Sequence, residues 1–292
     1  VTAKLINLLA AMPGFRVRRR PDMPPITFAL NHITTPTLTI DAFFALARSL
    51  GIDNVEIRND LAENAIQDET PASMVRSAAE AAGVTIISIN ALQRFNDWNE
   101  ARATQAEALV AYAKTCGARA LVLVPVNDGS GRLDGTRQAN LRQALTVLKP
   151  MLQAAGITGL VEPLGFGNCS LRSKTEAVEA IKAVDGIGVF KLVHDTFHHF
   201  LAGEAALFAD LTGLVHISGV SDRTVSEGDM RDSHRVLVDA DDRLDNTGQM
   251  QALIDAGYAG PFSFEPFAAQ VQTLDDPVTA LRRSMDYLGT CI

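Results

Sequence analysis

The sequence predicts an α/β protein of the (β/α)8 barrel class, and three observations carry that prediction. Short apolar runs alternate with helix-patterned segments from Ile26 to the C-terminus. The runs are almost continuously apolar, as a parallel sheet covered on both faces requires. The third is length: 292 residues is long for an average domain but ordinary for one such barrel.

The strand candidates, in order, are ITFALN (26–31), NVEIRN (54–59), TIISINA (85–91), ALVLVP (120–125), GLVEPL (159–164), VFKLVHD (189–195), LVHISG (214–219) and PFSFEPF (261–267). Helical spacing occupies 38–50, 71–82, 99–116, 136–155, 174–184, 204–210, 247–256 and 275–288. Gly51, Gly83, Gly117 and Gly156 follow the first four helical segments, where left-handed C-terminal caps belong. A doubly wound open sheet is the competing architecture, but it usually has a glycine-rich phosphate turn after its first strand. Here the first strand runs into HITTPTLT, which has no glycine, so a nicotinamide site is disfavoured.

Residues 1–25 stand apart: LINLLAAM is apolar, FRVRRRP is basic, and Pro24-Pro25 closes the segment. Charge following the apolar stretch reverses the order of a secretory signal. The expectation is a short extension over 1–25, helical against the barrel or a second subunit, followed by one barrel domain over 26–292. Homo-oligomers are therefore expected to be possible. With 34 acidic against 26 basic residues the chain carries a net charge of −8 and repels phosphate backbones, so nucleic acid is not an expected partner. No run approaches the roughly 18 apolar residues of a membrane span. Three scattered cysteines suggest no disulfide framework and a cytoplasmic location.

The chemistry concentrates at the ends of the last four runs, which carry Glu162, Asp195, His216 and Glu265. In a closed parallel barrel these side chains converge on one mouth, the C-terminal face where such barrels build their sites. Three carboxylates and an imidazole suit one divalent ion, with Mn, Mg, Co, Fe and Zn all acceptable. An unpaired buried carboxylate is costly, which favours ligation for Glu162 and Glu265 over a structural role. Asp195 could also cap a helix starting at Thr196. About 27 polar-rich residues, VSDRTVSEGDMRDSHRVLVDADDRLDN, follow the His216 strand and read as a lid or substrate clamp. Phe95, near Arg94 and Trp98, could cover the apolar face of a ring-shaped substrate or equally pack under the next helix. Asn168 could bind a substrate hydroxyl.

Several segments (NVEIR, INALQRFN, VEPLGFGNCS, HDTFHHFLAG, LVHI and the glutamate of FSFEPF) together resemble the xylose-isomerase-like TIM barrels. Within them the closest resemblance is to the inosose (2-keto-myo-inositol) isomerases of inositol catabolism. The resemblance runs from about Thr27 to the C-terminus, and E-P-L-G-x-x-x-C followed by D-T-F-H-H is its most specific part. It implies a single divalent ion held by Glu162, Asp195, His216 and Glu265. It also implies a substrate-contacting His198, three residues after the metal aspartate, and an arginine turn at His234-Arg235-Val236, where Arg235 could bind substrate or belong to a solvated charged loop. Where relatives commonly continue with Pro-Gly-x-Gly, this chain reads VLVDADDRLD, so the lid is expected to differ.

The expected reaction moves a carbonyl between neighbouring carbons of a polyol ketone through an enediolate. Glu162 and Glu265 would transfer the proton, and a metal would act as Lewis acid. Ketose 3-epimerisation and inosose dehydration are the alternatives on the same barrel. Endonucleases that cleave abasic DNA share the fold, but they need more histidine ligands and a basic face than six histidines and a charge of −8 supply.

Overall fold

Side chains alternate across a strand, so every second residue of a barrel strand points into the lumen. The computed structural model describes residues 26–292; the expected extension over 1–25 lies outside them. Eight parallel strands close into a barrel in chain order: β1 (Phe28–Asn31), β2 (Asn54–Arg58), β3 (Thr85–Gln93), β4 (Ala120–Val124), β5 (Thr158–Val161), β6 (Phe190–Asp195), β7 (Thr212–Ile217) and β8 (Phe262–Phe264), with β8 pairing back to β1. Between and after them run α1 (Ile40–Ser49), α2 (Ala72–Ala82), α3 (Glu100–Cys116), α4 (Thr136–Ala155), α5 (Lys174–Ala183), α6 (Thr196–Ala202), α7 (Asn246–Asp255), α8 (Ala269–Gln272) and α9 (Pro277–Cys291). No helix among the described residues is long and apolar enough to cross a membrane.

Two apolar layers follow from the alternation. Leu30, Val55, Ile57, Leu121, Leu123, Val161, Val215 and Phe264 join the helices in the large outer core. Ala29, Val122, Leu160, Val193 and Leu214 form a second buried cluster that fills the lumen. Two residues beyond the lumen residues Ala29, Leu160, Val193 and Leu214 stand Asn31, Glu162, Asp195 and His216. The period of two therefore carries each lumen column from apolar packing directly into a polar mouth.

One helix differs from the sequence reading. Residues 204–210 are not helical; the helix after β6 is α6, starting at Thr196. The Asp195 side chain accepts the His198 N–H at 2.9 Å and caps α6 as soon as β6 ends. Gly203, at φ 64°, then closes it in the left-handed region. The Glu204 carboxylate instead caps α5, accepting from the backbone N–H of Lys174 at 2.7 Å and of Thr175 at 3.0 Å.

The loop after β7 is tied down at its base. Gly219 and Val236 exchange backbone hydrogen bonds of 2.7 and 2.8 Å. Asp242 accepts from the backbone N–H of Val220, Leu244 and Asn246.

Candidate metal centre

Glu162 follows β5, Asp195 ends β6, His216 lies in β7 and Glu265 follows β8; one ligand atom from each lies within 4.8 Å of all the others, and all four residues are buried. Parallel pairing sets this up locally. Asp195 is in register with His216, and the Glu265 N–H bonds the Ile217 carbonyl at 3.0 Å.

The two ring nitrogens of His216 face different partners. Nδ1 lies 3.0 Å from Glu162, 3.1 Å from Glu265 and 3.9 Å from Asp195. Nε2 lies 3.2 Å from Glu56, a fully buried carboxylate in the middle of β2. Glu56 also accepts from Ser88 at 2.5 Å, from Asn90 at 2.7 Å and from Ser263. A carboxylate accepting from Nε2–H leaves the Nδ1 lone pair directed at the quartet, the usual arrangement behind a metal-binding histidine.

Two guanidiniums complete the buried set. Arg235 donates from Nη2 to Asp195 at 2.6 Å and to Glu265 at 3.0 Å, and from Nε to Ser218 at 2.9 Å. Its Cζ lies 5.2 Å from the Phe197 ring centroid and 4.7 Å from that of Phe267. Arg58, at the end of β2, reaches Glu265 Oε1 at 3.1 Å, where Asn31 also donates at 3.1 Å. Glu265 is therefore bonded at both oxygens. The Glu162 carboxylate has one oxygen engaged by His216 and no other hydrogen bond among the described residues.

The electrostatics follow from these contacts. Burial opposes charge on Glu56, but His216 and the surrounding donors pull its pKa down to about 2. Glu265 is likewise held at about 2, burial being overcome by His216, Arg235 and Arg58. For Glu162 burial prevails, aided by the charges of Glu265 and Asp195, and its pKa is raised. Burial also opposes the His216 charge, yet Glu265, Glu56 and Glu162 raise it well above the ordinary histidine value. With His216 neutral, the buried carboxylates of Glu56, Glu162, Asp195 and Glu265 outnumber Arg58 and Arg235 by two negative charges. A dication restores neutrality, and three oxygen donors with one imidazole are the donor set it would take. The quartet fits a divalent ion in both charge and chemistry.

The other residues singled out from the sequence are distributed as follows. His198 is buried beside the quartet; its Nδ1 has no hydrogen-bond partner, and Phe166 lies edge-on to it at 5.0 Å. Arg235 is 1% exposed, inside the centre and not on a solvated loop. Asn168 is exposed on the β5–α5 loop, donates to the Asn127 carbonyl and lines a cavity of about 780 Å³ at the mouth. Phe95 is fully buried in the outer core and does not line that cavity, so of the two readings offered for it the packing one describes its position. Glu56, Arg58, Asn31 and Phe267 are additions that the sequence reading did not single out.

Among solved structures, the chain is similar to a xylose isomerase domain-containing protein from Salmonella typhimurium LT2. The two are 34% identical with a TM-score of 0.85, over 92% of this chain and 99% of the other. The zinc-bound IolI protein superposes with a TM-score of 0.81 at 19% identity, over 90% and 98% of the two chains. For the D-psicose 3-epimerase of Clostridium cellulolyticum H10 the TM-score is 0.67 at 15% identity, over 90% and 98%. The last two likenesses speak to the fold alone. Comparison with curated protein sequences finds no match. Residues 44–291 match the model of the xylose isomerase-like TIM barrel, and the chain belongs to that family.

Proposed function

We propose that the protein is a divalent-metal-dependent isomerase or epimerase of polyol ketones, with inosose the first candidate substrate. The observation that carries the reading is the buried quartet of Glu162, Asp195, His216 and Glu265, whose donor atoms lie within 4.8 Å of one another. The strings E-P-L-G-x-x-x-C and D-T-F-H-H support inosose as the first ketone to try.

Moving a carbonyl, or inverting the carbon beside it, starts with loss of a proton α to the ketone and leaves an enediolate. A divalent ion held by the quartet would supply Lewis-acid stabilisation of that charge, worth several kcal/mol. Glu162, with an oxygen not committed to any neighbour, is the residue to take the proton. Glu265, clamped in orientation and held ionised by Asn31, Arg58 and Arg235, would be the base for the second carbon, and any proton it returns there is one it has first taken from a substrate hydroxyl. The unpaired Nδ1 of His198 is available to a substrate oxygen. Phe197 and Phe267, packed on Arg235, keep water from the buried charges.

The test is metal analysis of the purified protein followed by incubation with inosose and common ketoses in deuterated water. Exchange of an α-hydrogen, followed by NMR, is the expected result. The product then separates carbonyl migration, C3 epimerisation and loss of water. A metal-replete protein that exchanges no α-hydrogen on any of these ketones, or one unimpaired by thorough chelation, overturns the reading.

A further inference from the structure

On the helix side of β6, behind Asp195, runs a chain of polar groups that the quartet does not use. Side chains alternate along β6, so Phe190 and Leu192 face the helices and join the outer core. His194 is the next residue on that face and is fully buried. The Lys174 amine at the start of α5, in a residue only 4% exposed, lies 2.9 Å from His194 Nδ1. His194 Nε2 lies 2.9 Å from the side-chain oxygen of Gln249 in α7. Gln249 Nε2 in turn donates to the Thr196 carbonyl at 3.1 Å and to the Leu244 carbonyl at 2.7 Å.

The first member fixes the role of every other. Burial lowers the Lys174 pKa to about 8, so at pH 7 it is an ammonium, which can only donate. Nδ1 of His194 therefore accepts, and Nε2–H donates to the Gln249 oxygen. The Gln249 NH2 is then left facing its two carbonyls, with no donor set against a donor. One side chain thus holds both neighbours of Asp195: the ring of residue 194 and the carbonyl of residue 196. Through Leu244, buried with Phe197, Val220 and Met230, it also holds the end of the loop after β7.

Stability does not account for such a chain. Lys174 makes no ion pair among the described residues, and its one side-chain hydrogen bond is to His194. A buried ammonium without a carboxylate is costly, and Ala177, Val178 and Ile181 of the same helix pack into the apolar core instead.

We infer that the Lys174–His194–Gln249 chain is a positioning device for the metal ligand Asp195, with Gln249 its principal member. It fixes the backbone on both sides of Asp195, so that the carboxylate is presented to the ion at the angle His216, Glu162 and Glu265 require. The inference rests on the metal reading of the quartet.

The experiment uses Gln249→Met, which keeps the length of the side chain but neither accepts from His194 nor donates to the two carbonyls. Zn²⁺ affinity is read by competition with a fluorescent chelator, ligand geometry by the visible absorption of the Co²⁺ form, and the fold by urea unfolding in EDTA. The wild type should bind both ions. Gln249→Met should bind Zn²⁺ about tenfold more weakly, the loss typical of groups that orient a ligand, and its Co²⁺ spectrum should shift. Gln249→Glu restores the acceptor for His194 without the donors and should recover part of the affinity. Lys174→Met, which frees His194 to take the other tautomer, should weaken Zn²⁺ binding in the same direction. A purely structural chain would lower the urea midpoint of Gln249→Met and leave Zn²⁺ affinity and the Co²⁺ spectrum as in the wild type; that result overturns the inference and leaves the metal reading intact. If Gln249→Met does not fold, Lys174→Met decides on the same two readouts. A wild type that binds neither ion overturns the metal reading, and the inference with it.

Discussion

Glu56→Gln is the most informative single change, because it alters the orientation of a quartet member without removing a ligand atom. Glu56 receives Ser88, Asn90, Ser263 and the His216 Nε2, four donors on one fully buried carboxylate. An amide keeps one acceptor oxygen and turns an NH2 toward the remaining donors. Weakening four charge-assisted bonds to neutral ones costs about 1 kcal/mol each, about 4 kcal/mol gross. Relief from burying a charge offsets several kcal/mol of that. The net effect on folding in EDTA is expected to be within about 2 kcal/mol. The effect on metal affinity has no such offset, because the Nε2–H that fixed the tautomer would then bond a neutral amide oxygen shared with Ser88 and Asn90, a weaker acceptor than the carboxylate. Loss of the carboxylate behind a ligating histidine costs about 10–100-fold in affinity. Competition against a fluorescent chelator measures this directly, and urea unfolding in EDTA measures the fold separately. An unchanged metal dissociation constant would refute the assignment of Glu56 as the positioning group for His216. A folding loss well beyond about 4 kcal/mol would show that the carboxylate is chiefly structural.

Glu265→Gln should leave a folded protein, checked by circular dichroism, whose turnover falls by several orders of magnitude; near-normal turnover would end the two-carboxylate scheme. Arg235→Met leaves Asp195 and Glu265 without their guanidinium and should destabilise by about 3–5 kcal/mol in EDTA; a urea midpoint close to wild type would contradict the bonding at 2.6 and 3.0 Å. Gly165→Ala would bring a Cβ to 2.3 Å from the His198 carbonyl and 2.6 Å from the Leu201 Cβ, forcing α6 away from the β5 loop. A loss of about 1–3 kcal/mol is expected, with a crystal structure showing whether α6 moves. Burial lowers the pKa of His32 to about 4 from 6.5, against the opposing bond to the Leu38 carbonyl. Its unfolded form therefore binds the extra proton first, and stability present above pH 6.5 is lost as pH falls through 4. The shift corresponds to about 3 kcal/mol, and urea titrations of His32→Phe should show a shallower acid limb; a limb parallel to wild type would exclude His32 as a source.

All eight strands are legible because each is a short apolar run bounded by turn residues, and burial on both faces leaves little room for another reading. The helix after β6 is harder. GEAALFAD has helical spacing, but the capping carboxylate of Asp195 and the left-handed Gly203 put the helix one segment earlier. The capping residue Asp195 lies directly before Thr196 in the sequence, so the start of α6 is marked locally even though GEAALFAD has the stronger helical period. In the site, the quartet is legible because its members end four successive runs. Arg235 is reached only through the resemblance, since its burial comes from Phe197, Phe267, Asp195 and Glu265, all at least 30 residues away and invisible to any local pattern. Glu56 and Arg58 had a signal: two charges at alternate positions in NVEIR point the same way into the lumen, and the rule applied to Glu162 applies to them as well.

The charge set argues for function independently of any likeness. Four carboxylates, two guanidiniums and an imidazole, contributed by strands on most of the barrel's circumference, sit where Leu160, Val193 and Leu214 show that apolar side chains pack well one layer below. Replacing buried ion pairs by apolar residues of similar volume is often neutral or stabilising by about 1–4 kcal/mol. Stability alone therefore gives no reason to extend the lumen in charged residues instead of valine and leucine. The set comes within two charges of neutrality, and the three quartet carboxylates all lie within 4 Å of one imidazole nitrogen. With His216 neutral, as a metal ligand must be, a dication at that point accounts for both the size of the imbalance and its location; without an ion, protons on His216 and Glu162, whose pKa values are both raised, supply the same two charges at the same place.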